Sequence, residues 1–155
     1  MKRPVFGNDP WLQAAAFYLR YQVFVLEQGI SAELEFDELD RQQPDYFVIF
    51  DETRPIATIR YQKDSKRPNW IRPDRFCVAK DYRGQGIGRQ LLCAYEAKAR
   101  KAGYCGSVLS AEAAAQGFYE KLGYQTSGAF FYEDGIRCVT MQKPFYNHFS
   151  HRSSN

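Results

Sequence analysis

The chain is poor in the residues that metal and redox chemistry need. Its four cysteines are far apart and form no C-x-x-C pair, which argues against zinc and thiol–disulfide chemistry. Its two histidines are His148 and His151, so a Ser-His-Asp or Cys-His arrangement has no histidine within residues 1–147. We therefore predict an activity that uses no metal.

Long apolar runs are missing as well. No run of about 18 apolar residues is present and the N-terminus has no signal-peptide pattern, so we expect a cytoplasmic protein with no membrane partner. The 21 lysines and arginines are spread along the chain and give a net charge of only +3. Because no nucleic-acid-binding signature accompanies them, no nucleic-acid partner is expected.

The composition that remains is that of a folded protein. Hydrophobic residues make up 45% and aromatic residues 16% of the 155 positions, enough for one sizeable core. We predict a single domain over residues 1–143 and a flexible C-terminal tail over residues 144–155. Because aromatic residues of the final predicted hairpin and the tail are expected to be exposed, a homodimer is one of the expected oligomeric states.

Hydrophobic periodicity predicts a mixed α/β protein. The sequence predicts helices over residues 11–27, 89–102 and 111–122, and a loop with a short helical turn over 31–45. It predicts strands over residues 46–50, 55–62, 70–78, 104–110, 124–131 and 136–142. The helix over 11–27 would bury Leu12, Ala15, Ala16, Leu19, Val23 and Leu26. Antiparallel pairs would then flank a strand–helix–strand–helix centre.

A glycine-rich turn stands at that centre. The stretch Arg83-Gly84-Gln85-Gly86-Ile87-Gly88 lies between an apolar run and a predicted helix. Glycines let main-chain N–H groups approach a ligand closely, and a helix N-terminus attracts anions. Arg83 and Arg89 would add full positive charges. The turn therefore predicts a phosphate site, with a plain tight turn as the alternative.

Two motifs in this chain resemble the GNAT superfamily of N-acetyltransferases. Residues 78–88 are similar to its acetyl-CoA pyrophosphate loop, R/Q-x-x-G-x-G/A, and residues 117–124, GFYEKLGY, resemble its tyrosine-bearing helix. The likeness extends to residues 19–28 and 35–40, as in a subgroup of small bacterial GNAT proteins. It implies a GNAT-like mixed, mostly antiparallel sheet with a splayed parallel pair at its centre and helices on both faces.

The resemblance also implies acetyl-CoA as co-substrate. Its pyrophosphate would rest on the amides of residues 84–89, and its pantetheine arm would pair like an added strand where strands 76–78 and 106–110 splay apart. Glu112 stands where the family often has Asn, and Phe118 by itself is interpreted as a core residue. The implied cofactor-binding residues are Phe76, Cys77, Val78, Arg83, Gly84, Gln85, Gly86, Ile87, Gly88, Arg89, Glu112, Phe118, Tyr119 and Lys121.

Acetyl transfer needs a proton donor for the departing thiolate, and Tyr119 matches the family's general acid. A tyrosine that only packs is the alternative. Glu27 and Glu35 are the first choices for a general base within the acidic stretch, for which a solvated loop is the alternative. Cys77 is interpreted as a packing residue, so direct transfer in a ternary complex follows, with a main-chain N–H near Val78 stabilising the oxyanion.

The predicted function is acetyl transfer from acetyl-CoA to a primary amine of a small molecule or peptide. A non-catalytic acyl-CoA-binding or sensing domain is the second hypothesis. A third is acyl-homoserine-lactone synthase-like chemistry, since the pattern of Arg20, Phe24, Glu35, Asp37 and Asp40 is similar to that related family. The intact pyrophosphate loop and the short chain favour ordinary acetyl transfer.

Overall fold

The computed structural model describes residues 2–146. These residues form two compact units. Unit 1 comprises residues 2–62 and 73–96, and unit 2 comprises residues 63–72 and 97–146. The predicted single domain over residues 1–143 stays a prediction. From residue 147 onward, the predicted tail and its two histidines lie outside the described residues.

The described residues form eight strands and five α-helices. The strands are β1 (Pro4–Gly7), β2 (Asp45–Asp51), β3 (Arg54–Tyr61), β4 (Trp70–Ile71), β5 (Asp74–Val78), β6 (Gly106–Glu112), β7 (Gln125–Glu133) and β8 (Ile136–Pro144). The helices are α1 (Pro10–Arg20), α2 (Ala32–Glu35), α3 (Glu38–Arg41), α4 (Ile87–Lys101) and α5 (Gln116–Lys121). The short strand β1 was not predicted from the sequence.

The sheet of unit 1 has the order β1-β2-β3-β5, and all its pairs are antiparallel. Leu12 and Leu19 of α1 share a buried cluster with Tyr46 of β2. The next residue, Phe47, lies with its ring centroid 6.0 Å from that of Tyr95 in α4. Since side chains alternate along a strand, the sheet buries one face under α1 and the other under α4.

A π-helical segment, Tyr21–Glu27, follows α1 directly. The predicted single α-helix over residues 11–27 was therefore wrong beyond Arg20. The wider π-helical turns change the direction in which side chains point. Val23 stays buried, but Leu26, predicted on the buried face, is 63% exposed.

Pro73 separates two strands that the sequence predicted as one. The prediction of a continuous strand over residues 70–78 was wrong, because β4 ends at Ile71 and β5 begins at Asp74. Proline has no N–H to donate to a ladder, which explains the break. Strand β4 pairs with β6 in unit 2, whereas β5 pairs with β3 in unit 1.

The sheet of unit 2 has the order β4-β6-β8-β7, and its β4–β6 pair is parallel. The predicted turn at Asp134 and Gly135 joins β7 to β8, and both residues have positive φ, as a tight hairpin turn requires. The helix predicted over residues 111–122 is shorter: β6 runs to Glu112, and α5 begins at Gln116. The predicted mixed α/β fold class is confirmed.

Candidate functional site

The glycine-rich turn has the conformation that its composition predicted. Gly84 and Gly86 have φ angles of 78° and 79°, in the left-handed region. A Cβ added to either would meet no atom within 4 Å, so conformation rather than crowding requires glycine there. Helix α4 begins at Ile87, and its first amides have no intrahelical acceptor. This cradle of amides at a helix N-terminus fits a pyrophosphate.

Arg83, at the start of the turn, is held by other protein groups. Its Nε donates to the carbonyl of Val78 at 2.9 Å, and its two terminal nitrogens donate to the Glu27 carboxylate at 2.6 and 2.8 Å. These hydrogen bonds lower the pKa of Glu27 and raise that of Arg83. The residues predicted as a phosphate ligand and a general base thus pair with each other. Arg89 is exposed in the first turn of α4.

The end of β5 offers main-chain groups rather than side chains. The N–H of Ala79 donates to the carbonyl of Ile56 in β3 at 2.8 Å. Because main-chain groups alternate in direction along a strand, the N–H and carbonyl of Val78 point away from β3. The Cys77 side chain is buried, and burial raises the pKa of its thiol to about 12, so it packs rather than attacks.

Glu35 lies in a buried ion-pair network within unit 1. Its Oε2 accepts from Nε of Arg20 at 2.8 Å and lies 3.2 Å from Nε of Arg75. Burial raises the pKa of Glu35, and the two arginines limit the rise. The members of the network are Arg20, Glu35, Asp37, Asp40, Arg60, Asp74 and Arg75.

Two arginines of this network are almost completely buried. Arg20 is 0% and Arg60 is 2% exposed, and each is bound by at least two carboxylates. Burial opposes the charge of Asp40, yet hydrogen bonds from Arg20 hold its pKa well below the usual range. The sequence did not predict a role for Arg60, although an arginine within the apolar strand β3 was a signal.

A cleft of about 390 Å³ lies within unit 1. Its lining combines polar and charged side chains, among them Tyr18, Gln22, Glu27, Arg54 and Lys80, with aliphatic ones. The volume is in the range of small-molecule pockets. No sequence signal predicted it, because its lining comes from three separate segments.

Tyr119 lies on α5 in unit 2. Its ring centroid is 5.1 Å from that of Phe118 and 5.8 Å from that of Tyr124. Burial and the negative charge of Glu112 raise the pKa of Tyr119, so the phenol keeps its proton at neutral pH, as a general acid must. Phe118 is 36% exposed, which contradicts its interpretation as a core residue.

The remaining predicted residues of unit 2 lie at the ends of elements. Glu112 is the last residue of β6 and is opposite Cys138 of β8, while Lys121 is exposed at the end of α5. Within residues 2–146, no three His, Cys, Asp or Glu side chains are grouped so that they could hold a metal ion. None of the helices over the same residues is long and apolar enough to cross a membrane.

The structure contains the features on which the resemblance to the N-acetyltransferases rests. They are mixed α/β units, a glycine turn before a helix and a tyrosine on the following short helix. A family model described as an acetyltransferase (GNAT) domain matches residues 14–145. The chain therefore belongs to the GNAT family and is an acetyl-transferring enzyme, which confirms the resemblance and implies the use of an acyl-CoA.

Individual relatives agree with this assignment. The chain is 34% identical over 144 residues to YjcF of Bacillus subtilis (strain 168), described as an uncharacterized N-acetyltransferase, covering 92% of this chain and 99% of that protein. A Lactobacillus plantarum structure, provisionally described as an N-acetyltransferase, is 40% identical with a TM-score of 0.87, covering 92% and 97% of the two chains. An acyl-CoA N-acyltransferase from Pseudomonas aeruginosa, 23% identical, shares the fold with a TM-score of 0.78 over 91% and 99%.

The left-handed backbone conformation of Gly86 suggests a pair of glycine substitutions with opposite expected effects on the free energy of unfolding. Gly86→Ala is expected to lower the free energy of unfolding by about 1–2 kcal/mol, because a side chain disfavours the left-handed region. Gly117→Ala, within α5 and with open space around its Cβ, should raise it by roughly 0.5–1 kcal/mol. Urea unfolding of both variants measures the contrast, and a destabilisation shared equally by both would contradict it.

Proposed function

We propose that the protein transfers the acetyl group of acetyl-CoA to a primary amine of a small molecule or peptide by direct attack. The observation that carries the proposal is the amide cradle formed by the left-handed glycines ahead of α4, which suits a pyrophosphate. Membership of the GNAT family supports the same co-substrate. We also propose that residues 1–143 act as one acetyltransferase domain.

The proposed residue roles follow from the contacts above. The amides of residues 84–89 and the exposed Arg89 bind the pyrophosphate. The N–H of Val78 donates to the carbonyl oxygen as negative charge develops there. Tyr119 gives its hydroxyl proton to sulfur as the C–S bond breaks and the C–N bond forms. Phe76, Glu112, Phe118 and Lys121 remain proposed contacts of the co-substrate.

Proton removal from the amine is assigned to water. The carboxylate of Glu27 is engaged by Arg83, and that of Glu35 is buried between Arg20 and Arg75. Arg83 lowers the pKa of Glu27, which makes this carboxylate a weaker base, and the carboxylate of Glu35 is 3% exposed and engaged by both of its arginines. A solvent-derived base requires neither ion pair to break, so it suits the proposal better.

Coenzyme A should stabilise the folded protein, and an amine should release it from acetyl-CoA. Free CoA at about 100 times its Kd should raise the free energy of unfolding by roughly 2.7 kcal/mol, seen as a rise in Tm. Thiol release from acetyl-CoA is then followed with polyamines, amino acids, aminoglycosides and peptides. A rise in Tm without turnover for any amine would favour the acyl-CoA-sensing alternative, and no rise would contradict the proposal.

The lactone-synthase alternative has less support. Arg20, Asp37 and Asp40, which suggested it, hydrogen-bond within the buried network, so their pattern has a structural explanation. Supplying acyl-carrier protein with S-adenosylmethionine should therefore yield no lactone. Formation of a lactone would reverse this preference.

A further inference from the structure

We propose that Glu27 is a positioning residue for the glycine-rich turn, acting through Arg83. The inference rests on the proposed function, because it assumes that this turn receives the pyrophosphate of acetyl-CoA. It gives Glu27 a part in co-substrate affinity, and none in proton transfer.

The guanidinium of Arg83 joins three segments of unit 1. Its Nε donates to the carbonyl of Val78, the last residue of β5, at 2.9 Å. Its two terminal nitrogens donate to the two carboxylate oxygens of Glu27, the last residue of the π-helical segment, at 2.6 and 2.8 Å. All three nitrogens of the side chain are therefore engaged, and Arg83 itself begins the turn. Through Arg83, the end of β5 and the start of the glycine-rich turn are therefore connected to the carboxylate of Glu27.

The π-helical segment is a firm support for that carboxylate. Val23, in the same segment, is 4% exposed and packs in the cluster that contains Leu12 and Leu19. Two main-chain hydrogen bonds hold the C-terminal end of the segment. The N–H of Gly29 donates to the carbonyl of Val25 at 3.1 Å, and the N–H of Ile30 donates to the carbonyl of Phe24 at 2.9 Å. Glu27 is thus carried on an anchored element. A bidentate pair with arginine adds directional constraint to this anchoring.

The pairing has a consequence for how the turn binds an anion. Since Glu27 neutralises Arg83, the pyrophosphate depends on the amides of residues 84–89 and on Arg89 rather than on Arg83. Those amides must already point at the ligand if binding is not to cost extra conformational entropy. Holding Arg83 to Val78 fixes the first residue of the turn before the ligand arrives. Loss of Glu27 would leave the amides present but less well ordered.

The proposal is tested with Glu27→Gln, Arg83→Gln and the double variant. Each single substitution is expected to raise the KM for acetyl-CoA and the Kd of CoA roughly two- to fivefold, the effect of losing a half-exposed ion pair, with kcat unchanged. The double variant should be no worse than either single one, because both remove the same interaction. Glu52→Gln, an exposed change in the β2–β3 turn, is the matched control and should leave both constants unchanged.

Three results would overturn the proposal, and they are distinguishable. A fall in kcat of about 100-fold or more in Glu27→Gln, with loss of the acidic limb of the kcat/KM profile, would show that Glu27 takes the proton. Unchanged Kd values in all three variants would show that the pair does not position the turn. Failure of the unsubstituted protein to bind CoA would overturn the proposed function itself. This result is distinguishable because it is measured on the protein without any substitution.

Discussion

Replacing Asp40 with asparagine is expected to lower the free energy of unfolding by about 3–5 kcal/mol, the usual loss when a buried ion pair is broken. Asp40 Oδ1 accepts from Nη1 of Arg20 and from the hydroxyl of Tyr46, both at 2.7 Å. Its Oδ2 accepts from Nη2 of Arg20 at 2.8 Å and from the N–H of Asp37 at 3.0 Å. An asparagine turns one of these acceptors into a donor that faces other donors, whichever way its amide lies.

Glu38→Gln is the matched control for this substitution. Glu38 belongs to the same short helix, α3, and lies 3.8 Å from Arg41, but both side chains are largely exposed. Its loss should cost less than about 1 kcal/mol, as is usual for surface pairs. Urea unfolding at neutral pH compares the two variants. Equal losses would mean that the buried network contributes no more than a surface ion pair.

Tyr119→Phe is expected to lower kcat by roughly 10²–10⁴-fold, the typical contribution of a general acid or base. The KM for acetyl-CoA should change little, because the ring and its contacts with Phe118 and Tyr124 are retained. The raised pKa of Tyr119 keeps the hydroxyl protonated throughout the neutral range, so the proton is always available to the thiolate. Steady-state kinetics with an accepted amine give both constants.

A matched variant separates this role from a general effect of losing a phenol. Tyr146 also belongs to unit 2, and its side chain is 75% exposed. Tyr146→Phe should therefore leave kcat unchanged. If Tyr119→Phe also kept kcat within about twofold while CoA still bound, Tyr119 would be a packing residue and water would protonate the thiolate.

Features with short-range causes could be predicted from the sequence. The left-handed glycines at 84 and 86, the start of α4 and the turn at Asp134 and Gly135 each depend on a few neighbouring residues. Glycine has no Cβ to disfavour positive φ, and this holds whatever the rest of the chain does. The motif around Tyr119 was found in the same way, as a local pattern.

Features that depend on distant partners were predicted poorly. Glu27 and Arg83 are 56 positions apart in the chain, and the residues around each of them do not indicate that the two side chains pair. Glu35 looked like one acidic residue in a solvated loop, yet it is 3% exposed because Arg20 and Arg75 bind it. A charged residue is expected to be exposed when only the sequence is considered. Its burial is tolerated only where ion-pair partners offset the free energy lost on removing the charge from water.

The family, the mixed α/β class and the glycine turn could be inferred from the order of residues, because repeating patterns and local backbone preferences depend on residues that are close in the chain. The use of the charged side chains became visible in the folded chain alone. It showed a π-helical segment ending at Glu27, a strand divided at Pro73 and a network that buries Arg20 and Arg60. The physical reason is that ion pairing depends on distance in space, which the fold sets and the order of residues does not reveal.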